Sequence, residues 1–303
     1  MSGDKTAMTQ TSNDEHPNLS HRRFYKAEQE VGFVESHPRT SPQQQDPAYR
    51  LAFRDTDFLL REELRPIRFQ LELLKPEMLL DEAGIASTLV MYGSARIPSP
   101  DHVEQTLARA DTSEKRAVAE RLAAKARHYD EARRLAFMAA SANIVEEGQR
   151  HFVVCSGGGP SIMEAANRGA TDAGAETIGL NITLRHEQEP NPYVTPHLSF
   201  QFHYFALRKM HFLLRARAVA VFPGGFGTFD ELFELLTLIQ TGKMKPIPIL
   251  LFGSDYWDRV VNFRAIAEEG LIGFDDLDLF HRVETAQEGW EKIADFYALE
   301  TGD

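Results

Sequence analysis

Short, uniformly apolar runs alternate with longer amphipathic segments along most of this chain. The apolar runs have the character of strands that are covered on both faces, and the segments between them carry apolar residues at helical intervals. This alternation predicts an α/β protein, with a Rossmann-like doubly wound parallel sheet flanked by helices. The predicted strands are residues 87–92, 152–155, 177–182, 219–222, 248–252 and 281–284.

The first part of the chain has a different pattern. Residues 1–46 are rich in Ser, Thr, Asn, Gln, Asp and Pro and contain few apolar residues, which predicts a mobile N-terminal tail. Residues 47–86 carry apolar residues at helical intervals that Pro66 and Pro76 interrupt, which predicts an extension of short helices packed outside the sheet. Residues 87–303 are then predicted to form one Rossmann-like domain.

Composition narrows the class of protein further. The 45 acidic residues outnumber the 33 basic ones, and a net charge of −12 disfavours nucleic acid or an anionic membrane surface as the main partner. The single cysteine, Cys155, allows no internal disulfide and no cysteine-based metal site. Without a membrane-spanning apolar run or a recognisable secretion signal, the chain is expected to be cytoplasmic.

Glycine-rich turns follow three of the predicted strands. The strand at 219–222 runs into Pro223-Gly224-Gly225-Phe226-Gly227 and then into a helix expected to begin near Thr228. Ser156-Gly157-Gly158-Gly159-Pro160 and Gly93-Ser94 follow two other strands. In a parallel sheet these turns meet at one edge, where backbone N–H groups and helix N-termini bind phosphate. The sequence therefore predicts a phosphate-binding crevice.

One acidic residue after the main turn has two interpretations. The pattern Thr228-x-x-Glu231 places a carboxylate in the first turn of the predicted helix, where it would face the crevice. The same pattern is also that of a capping box, in which Glu231 would only accept hydrogen bonds from its own backbone. Two familiar nucleotide motifs fail here: Asp230 stands where a dinucleotide-binding turn needs glycine, and Met244 follows Gly242-Lys243 where a triphosphate-binding loop needs a hydroxyl residue.

Four segments resemble one family. PGGFGTFDE at 223–231 matches the PGGxGTxxE signature of the LOG family, long described as "possible lysine decarboxylase" and associated with nucleoside 5′-monophosphate phosphoribohydrolases. GGGPSIMEAANRGA at 157–170, Arg208-Lys209 and GSAR at 93–96 are similar to the family's other motifs. The resemblance implies catalytic Glu231 and Arg208. It also implies these substrate-binding residues: Gly93, Ser94, Gly157, Gly158, Gly159, Met163, Asn181, Lys209, Pro223, Gly224, Gly225, Gly227, Thr228 and Asp230.

The implied activity is hydrolysis of the N-glycosidic bond of AMP or a cytokinin riboside 5′-monophosphate, giving the free base and ribose 5-phosphate. Phosphate is expected over the amides of residues 224–228, with the ribose extending toward Glu231. That carboxylate could hold the ribose hydroxyls, offset positive charge or polarise water. The resemblance also implies a homodimer or higher homo-oligomer, and no cofactor or metal is expected.

Two other functions are compatible with the resemblance. Proteins of the same fold carry a nucleotide or the molybdenum cofactor without catalysis, and release of adenine from AMP distinguishes an enzyme from such a carrier. The lysine decarboxylase description is disfavoured because no lysine stands in a recognisable pyridoxal-phosphate context.

Overall fold

Seven parallel strands form the centre of the protein, in the order β6-β5-β4-β1-β7-β8-β9. The computed structural model describes residues 24–184 and 189–299. The chain starts at the central strand, moves outward on one side, and returns to the centre before it moves outward on the other. This is the doubly wound order, so the predicted fold class is confirmed. The strands are β1 Thr88–Tyr92, β2 Val145–Glu146, β3 Gln149–Arg150, β4 Val153–Ser156, β5 Ile178–Ile182, β6 Ser199–Phe202, β7 Ala216–Val221, β8 Ile249–Phe252 and β9 His281–Val283.

Alternate residues of each central strand point into two separate apolar layers. Leu89 and Met91 of β1 pack in one layer, whereas Val90 and Tyr92 pack in the other. Side chains from helices cover both layers, which explains why the strand sequences are apolar throughout. The α-helices are α1 Ala27–Ser36, α2 Pro42–Gln45, α3 Thr56–Leu59, α4 Arg65–Glu82, α5 Val103–Ala108, α6 Ser113–Ala123, α7 Arg127–Ala142, α8 Ile162–Asp172, α9 Phe205–Leu214, α10 Phe226–Gln240, α11 Ser254–Val260, α12 Phe263–Glu268 and α13 Ala286–Tyr297.

The chain divides into two compact units, with the second beginning at Arg65. Within the predicted tail the structure has α1 and α2, whose side chains are largely exposed, while residues 1–23 lie outside the described residues. The mobility of this segment stays a prediction. Among the described residues, none of the helices combines the length and apolar character needed to span a membrane.

Two predicted boundaries were wrong. The helical composition of residues 103–149 predicts a helix that stops near Gly148. Helix α7 instead ends at Ala142, because Asn143 adopts a left-handed conformation, and β2 and β3 then form an antiparallel hairpin. Residues 184–200 contain three prolines and no periodicity, which predicts a loop, but the edge strand β6 begins within them, at Ser199.

Helix α4 continues through Pro76, which was expected to interrupt it. Proline has no N–H group, so the carbonyl of Glu72 lacks its normal partner in the helix. The Nε2–H group of His211 on α9 donates to that carbonyl at 3.0 Å. A side chain from the neighbouring helix therefore provides the hydrogen bond that proline cannot.

Candidate active site

The three glycine turns meet at the carboxyl edge of the sheet, as predicted. Parallel pairing of β1 with β4 and β7 places the turns that follow these strands beside one another. The backbone N–H of Ser94 donates to the Pro223 carbonyl at 3.1 Å, and the Ser94 carbonyl accepts from the Ile162 N–H at 3.4 Å. The turn after β1 therefore joins the other two.

The turn after β4 is lined by side chains that require glycine. A Cβ atom at Gly157 would lie 2.7 Å from the Met163 sulfur and 2.8 Å from Nη2 of Arg208. Gly158 has φ of +69°, and a Cβ there would lie 2.6 Å from the Asn181 amide nitrogen. That nitrogen is buried and has no hydrogen-bond partner among the described residues. The turn thus brings Met163, Asn181 and Arg208 together.

Helix α10 begins at Phe226, two residues earlier than predicted. Gly225 is its N-cap, and the first hydrogen bond of the helix runs from the Phe229 N–H to the Gly225 carbonyl. The N–H groups of residues 226–228 precede that bond, so they have no partner within the helix. Gly225 and Gly227 are exposed, whereas Pro223 and Thr228 are buried. The N-terminus of α10 therefore presents donors and a positive dipole end at the crevice.

Glu231 and Arg208 face each other across the crevice between α10 and α9. Oε1 of Glu231 lies 3.8 Å from Nη2 of Arg208, and the two side chains are only 14% and 13% exposed. The Nε–H group of Arg208 donates to the Leu180 carbonyl at 2.9 Å, and its guanidinium lies 5.1 Å from the centre of the Phe212 ring. Backbone and ring contacts thus fix the arginine.

The earlier start of α10 excludes the capping interpretation of Glu231. The N-cap is Gly225, so Thr228 is the third helical residue and Glu231 lies in the second turn rather than the first. The carboxylate points toward Arg208 instead of its own backbone.

Burial gives Glu231 an unusual pKa. Removal from water is the largest cause and raises the pKa of Glu231 to about 7, while the positive charge of Arg208 opposes the shift and Asp230 adds to it. A carboxyl group with this pKa can accept or release a proton near neutral pH.

Lys209 and Asp230, both expected to bind substrate, contact each other. Nζ of Lys209 lies 2.9 Å from Oδ1 of Asp230 and 3.1 Å from Oε2 of Glu234. The ammonium group is therefore engaged by two carboxylates of α10.

A buried network that sequence reasoning missed holds the turn after β4. The Ser156 hydroxyl accepts from the Gly158 N–H at 3.0 Å and donates to Oδ1 of Asn167 at 2.7 Å. The Asn191 amide donates to the same oxygen at 2.9 Å and to the Gly159 carbonyl at 2.9 Å. The one available signal was a polar Asn167 in an Ala-rich helix face.

A second contact that sequence reasoning missed stabilises the turn after β7. The Tyr256 hydroxyl donates to the Gly224 carbonyl, which fixes the peptide that leads into α10. Nothing in the sequence near Tyr256 indicated this contact.

A cavity of about 410 Å³ lies elsewhere, at the amino end of β4. Its lining includes Arg150 and Glu176, which pair with each other at 2.8 Å. Ligands of open α/β sheets bind at the carboxyl ends of the strands, so the crevice rather than this cavity is the candidate site.

The strand order and the crevice place the chain among Rossmann-like α/β proteins. Within that class, residues 163–293 match the family model described as "Possible lysine decarboxylase". The chain is 30% identical over 116 residues to a pyrimidine/purine nucleotide 5′-monophosphate nucleosidase of Escherichia coli (strain K12). These findings confirm the resemblance to the LOG family. The match to the nucleosidase covers 35% of this chain and 25% of the relative's length.

Solved structures that are similar to this chain include a molybdenum cofactor binding protein from Rippkaea orientalis, with a TM-score of 0.43 and 16% identity. A molybdenum cofactor carrier protein from Chlamydomonas reinhardtii has a TM-score of 0.41 and 16% identity. Each alignment covers 70% of this chain and 98% of the other.

Proposed function

We propose that this protein hydrolyses the N-glycosidic bond of a nucleoside 5′-monophosphate. The substrate is AMP, a cytokinin riboside 5′-monophosphate, or both, and the products are the free base and ribose 5-phosphate. The observation that carries the proposal is the buried Glu231 carboxylate opposite Arg208, beside the N-terminus of α10. The nucleotide nucleosidase similar to this chain supports the same reaction class.

The turns and the N-terminus of α10 bind the 5′-phosphate in this proposal. Backbone N–H groups at residues 226–228 and the helix dipole favour an anion there. The ribose then extends toward Glu231. The Asn181 amide nitrogen, which has no hydrogen-bond partner among the described residues, donates to a substrate oxygen or ring nitrogen. This orientation keeps the phosphate away from the acidic side chains of α10.

Glu231 acts as the base that polarises water, and Arg208 orients it. Water adds to C1′ while the C1′–N bond breaks, and the bonding electron pair leaves with the base. One proton passes from the attacking water to Glu231, the departing base takes up one proton from solvent water, and Glu231 returns its proton to solvent. Arg208 is permanently charged, so its role is electrostatic and it is not a general acid.

The decisive experiment incubates the full chain with AMP, isopentenyl-AMP, GMP, CMP and UMP and separates the products by chromatography. Adenine or isopentenyladenine and ribose 5-phosphate are the expected products. Glu231→Gln should lower kcat about 100- to 10,000-fold while leaving AMP binding largely intact, as expected for a lost general base. Arg208→Ala should weaken both binding and turnover.

The matched control is Glu176→Gln, because Glu176 is also paired with an arginine but lies at the opposite edge of the sheet. It should retain wild-type turnover. Binding of AMP with no release of any base would favour a carrier. Full activity in Glu231→Gln would contradict the assigned role.

We also propose that two copies associate through α4. Four exposed apolar side chains follow one another at intervals of four, three and four residues, which is the spacing of a helix–helix seam. Arg65 stands at the start of this helix and Glu82 at its end, so an antiparallel pair would place opposite charges together. The seam consists of Ile67, Leu71, Leu74 and Met78.

A further inference from the structure

Two consecutive cations of α9 face three carboxylates of α10. Arg208 lies opposite Glu231, and Lys209 bridges Asp230 and Glu234 at 2.9 and 3.1 Å. Lys209 is 18% exposed, and both of its carboxylate partners are more exposed than Glu231. The local charges therefore amount to two positive groups against three negative ones.

Lys209 is poorly placed to bind substrate phosphate in this arrangement. Its ammonium is already engaged by Asp230 and Glu234, and both carboxylates would repel a phosphate brought against it. Burial by itself lowers the pKa of Lys209, but the hydrogen bonds with these carboxylates raise it above the usual value, so the group stays charged.

We infer that Lys209 is a positioning residue, which neutralises Asp230 and Glu234 and thereby keeps the Glu231 carboxylate ionised opposite Arg208. Without the ammonium, two unneutralised carboxylates would remain beside Glu231. Each of them disfavours a further negative charge. The lysine therefore acts on the reaction through Glu231.

The electrostatics around Glu231 support this inference. Asp230 and Glu234 raise the pKa of Glu231, after burial as the largest cause, while Arg208 and Lys209 lower it. Burial also raises the pKa of Tyr92 and of Cys155, so these two neighbours are neutral at pH 7. The titratable and charged groups that face Glu231 are thus Arg208 and Lys209 on α9, Asp230 and Glu234 on α10, Tyr92 on β1 and Cys155 on β4.

The direct test measures the ionisation of Glu231 without substrate. Full-length protein labelled at the glutamate carboxyl carbon is titrated by ¹³C NMR, and the Glu231 signal is assigned by its loss in Glu231→Gln. Lys209→Met should raise the Glu231 pKa by about one unit, the size expected for loss of a nearby opposite charge. Lys209→Arg should restore the wild-type value.

Two further variants keep the test independent of any damage to the fold. Glu234→Gln removes one of the two carboxylates and should lower the Glu231 pKa, and adding Asp230→Asn to Lys209→Met should reverse the shift. Lys115→Met is the matched control, since Lys115 pairs with Asp111 on the surface. It should leave the titration unchanged.

The kinetic test rests on the proposed hydrolysis, whereas the NMR test does not. In Lys209→Met, the pKa that defines the acid limb of the pH profile of kcat/KM for AMP should also rise by about one unit. The value of kcat/KM should then be about tenfold lower at pH 6 and little changed at pH 9. An unchanged Glu231 titration together with a higher KM at all pH values would overturn the inference and make Lys209 a substrate ligand. Absence of hydrolysis with a shifted titration would instead reject the proposed function alone.

Discussion

At the scale of single residues, the proposed chemistry depends on Glu231, a carboxylate that the fold removes from water. The sequence indicated Glu231 and Arg208 because both lie in recognisable motifs, and it placed them at one crevice because parallel strands end at one edge. It could not reveal the supports of the turns. Asn191 and Tyr256 act through contacts that span more than thirty residues, and only the folded chain defines these.

The raised pKa of Glu231 predicts a stability change with pH. Its pKa is about 7 in the folded protein and about 4.5 when exposed, so protonation stabilises the folded state, and this contribution is lost as pH rises from about 4.5 through 7. The Glu231→Gln variant has no carboxyl group at this position, so it does not lose this stability as pH rises. Between pH 5 and pH 8 the free energy of unfolding of this variant should gain roughly 2–3 kcal/mol relative to wild type.

Urea unfolding of both proteins at pH 5, 6, 7 and 8 measures this difference. Comparing the trend with pH removes any constant cost of leaving Arg208 without its partner. Parallel pH profiles for the two proteins would show that the carboxyl group is not perturbed by burial.

A second prediction at this scale concerns Gly158. Alanine there adopts an unfavourable positive φ and also places its Cβ within 2.6 Å of the Asn181 amide. Gly174 is the matched control, since it has φ of +72° and no atom within 4 Å of an added Cβ. We expect Gly174→Ala to cost about 1–2 kcal/mol from conformation alone, and Gly158→Ala to cost about 1–3 kcal/mol more.

Thermal unfolding of both variants, with the KM for AMP, checks this prediction. Gly158→Ala should also raise KM because Asn181 must move, whereas Gly174→Ala should not. Equal destabilisation of the two variants, with unchanged KM in both, would mean that the Asn181 side chain can move away from an added Cβ without cost.

At the scale of helices and strands, pattern predicted the central elements well. Uniformly apolar strands and amphipathic helices are visible in the sequence because both faces of the sheet are covered. The short hairpin β2–β3 was missed, since Glu147 and Gly148 both adopt positive φ in its turn and nothing around them alternates clearly. The edge strand β6 was missed because three prolines precede it closely.

The continuity of α4 through Pro76 yields a prediction about the contact between α4 and α9. His211→Leu should cost about 1–3 kcal/mol, because the Glu72 carbonyl would lose its donor. In a Pro76→Ala background, residue 76 regains an N–H group that can reach the same carbonyl within the helix. The cost of His211→Leu should then be smaller by about 1 kcal/mol.

A double-mutant cycle of four proteins, unfolded in urea, measures this coupling. Strictly additive costs would show that the histidine and the missing N–H group are unrelated. The single Pro76→Ala variant serves as the reference for changes in helix propensity.

At the scale of the whole molecule, the alternation of elements predicted a doubly wound sheet, but the position of the edge strands needed the structure. Motifs in three turns predicted the edge of the sheet at which we place the proposed site. Pattern alone could not assign the exposed apolar side chains of α4, since exposure is a property of the folded protein.

The proposed association of two copies is tested through the seam on α4. Leu71→Glu and Leu74→Glu place charges where apolar side chains should meet, so each should shift sedimentation velocity profiles from dimer to monomer. Leu271→Glu is the control, because Leu271 is 76% exposed and lies outside α4. A wild-type protein that stays monomeric at all concentrations would contradict the proposal.

The two hydrogen bonds of the Ser94 backbone have a mechanical consequence. Ser94, just beyond the central strand, is hydrogen-bonded to the loops that follow β4 and β7, so it sets the width of the crevice between these loops. If the proposed function is right, smaller side chains along the crevice would admit a bulkier nucleobase, whereas lengthening either loop would break its hydrogen bond to Ser94.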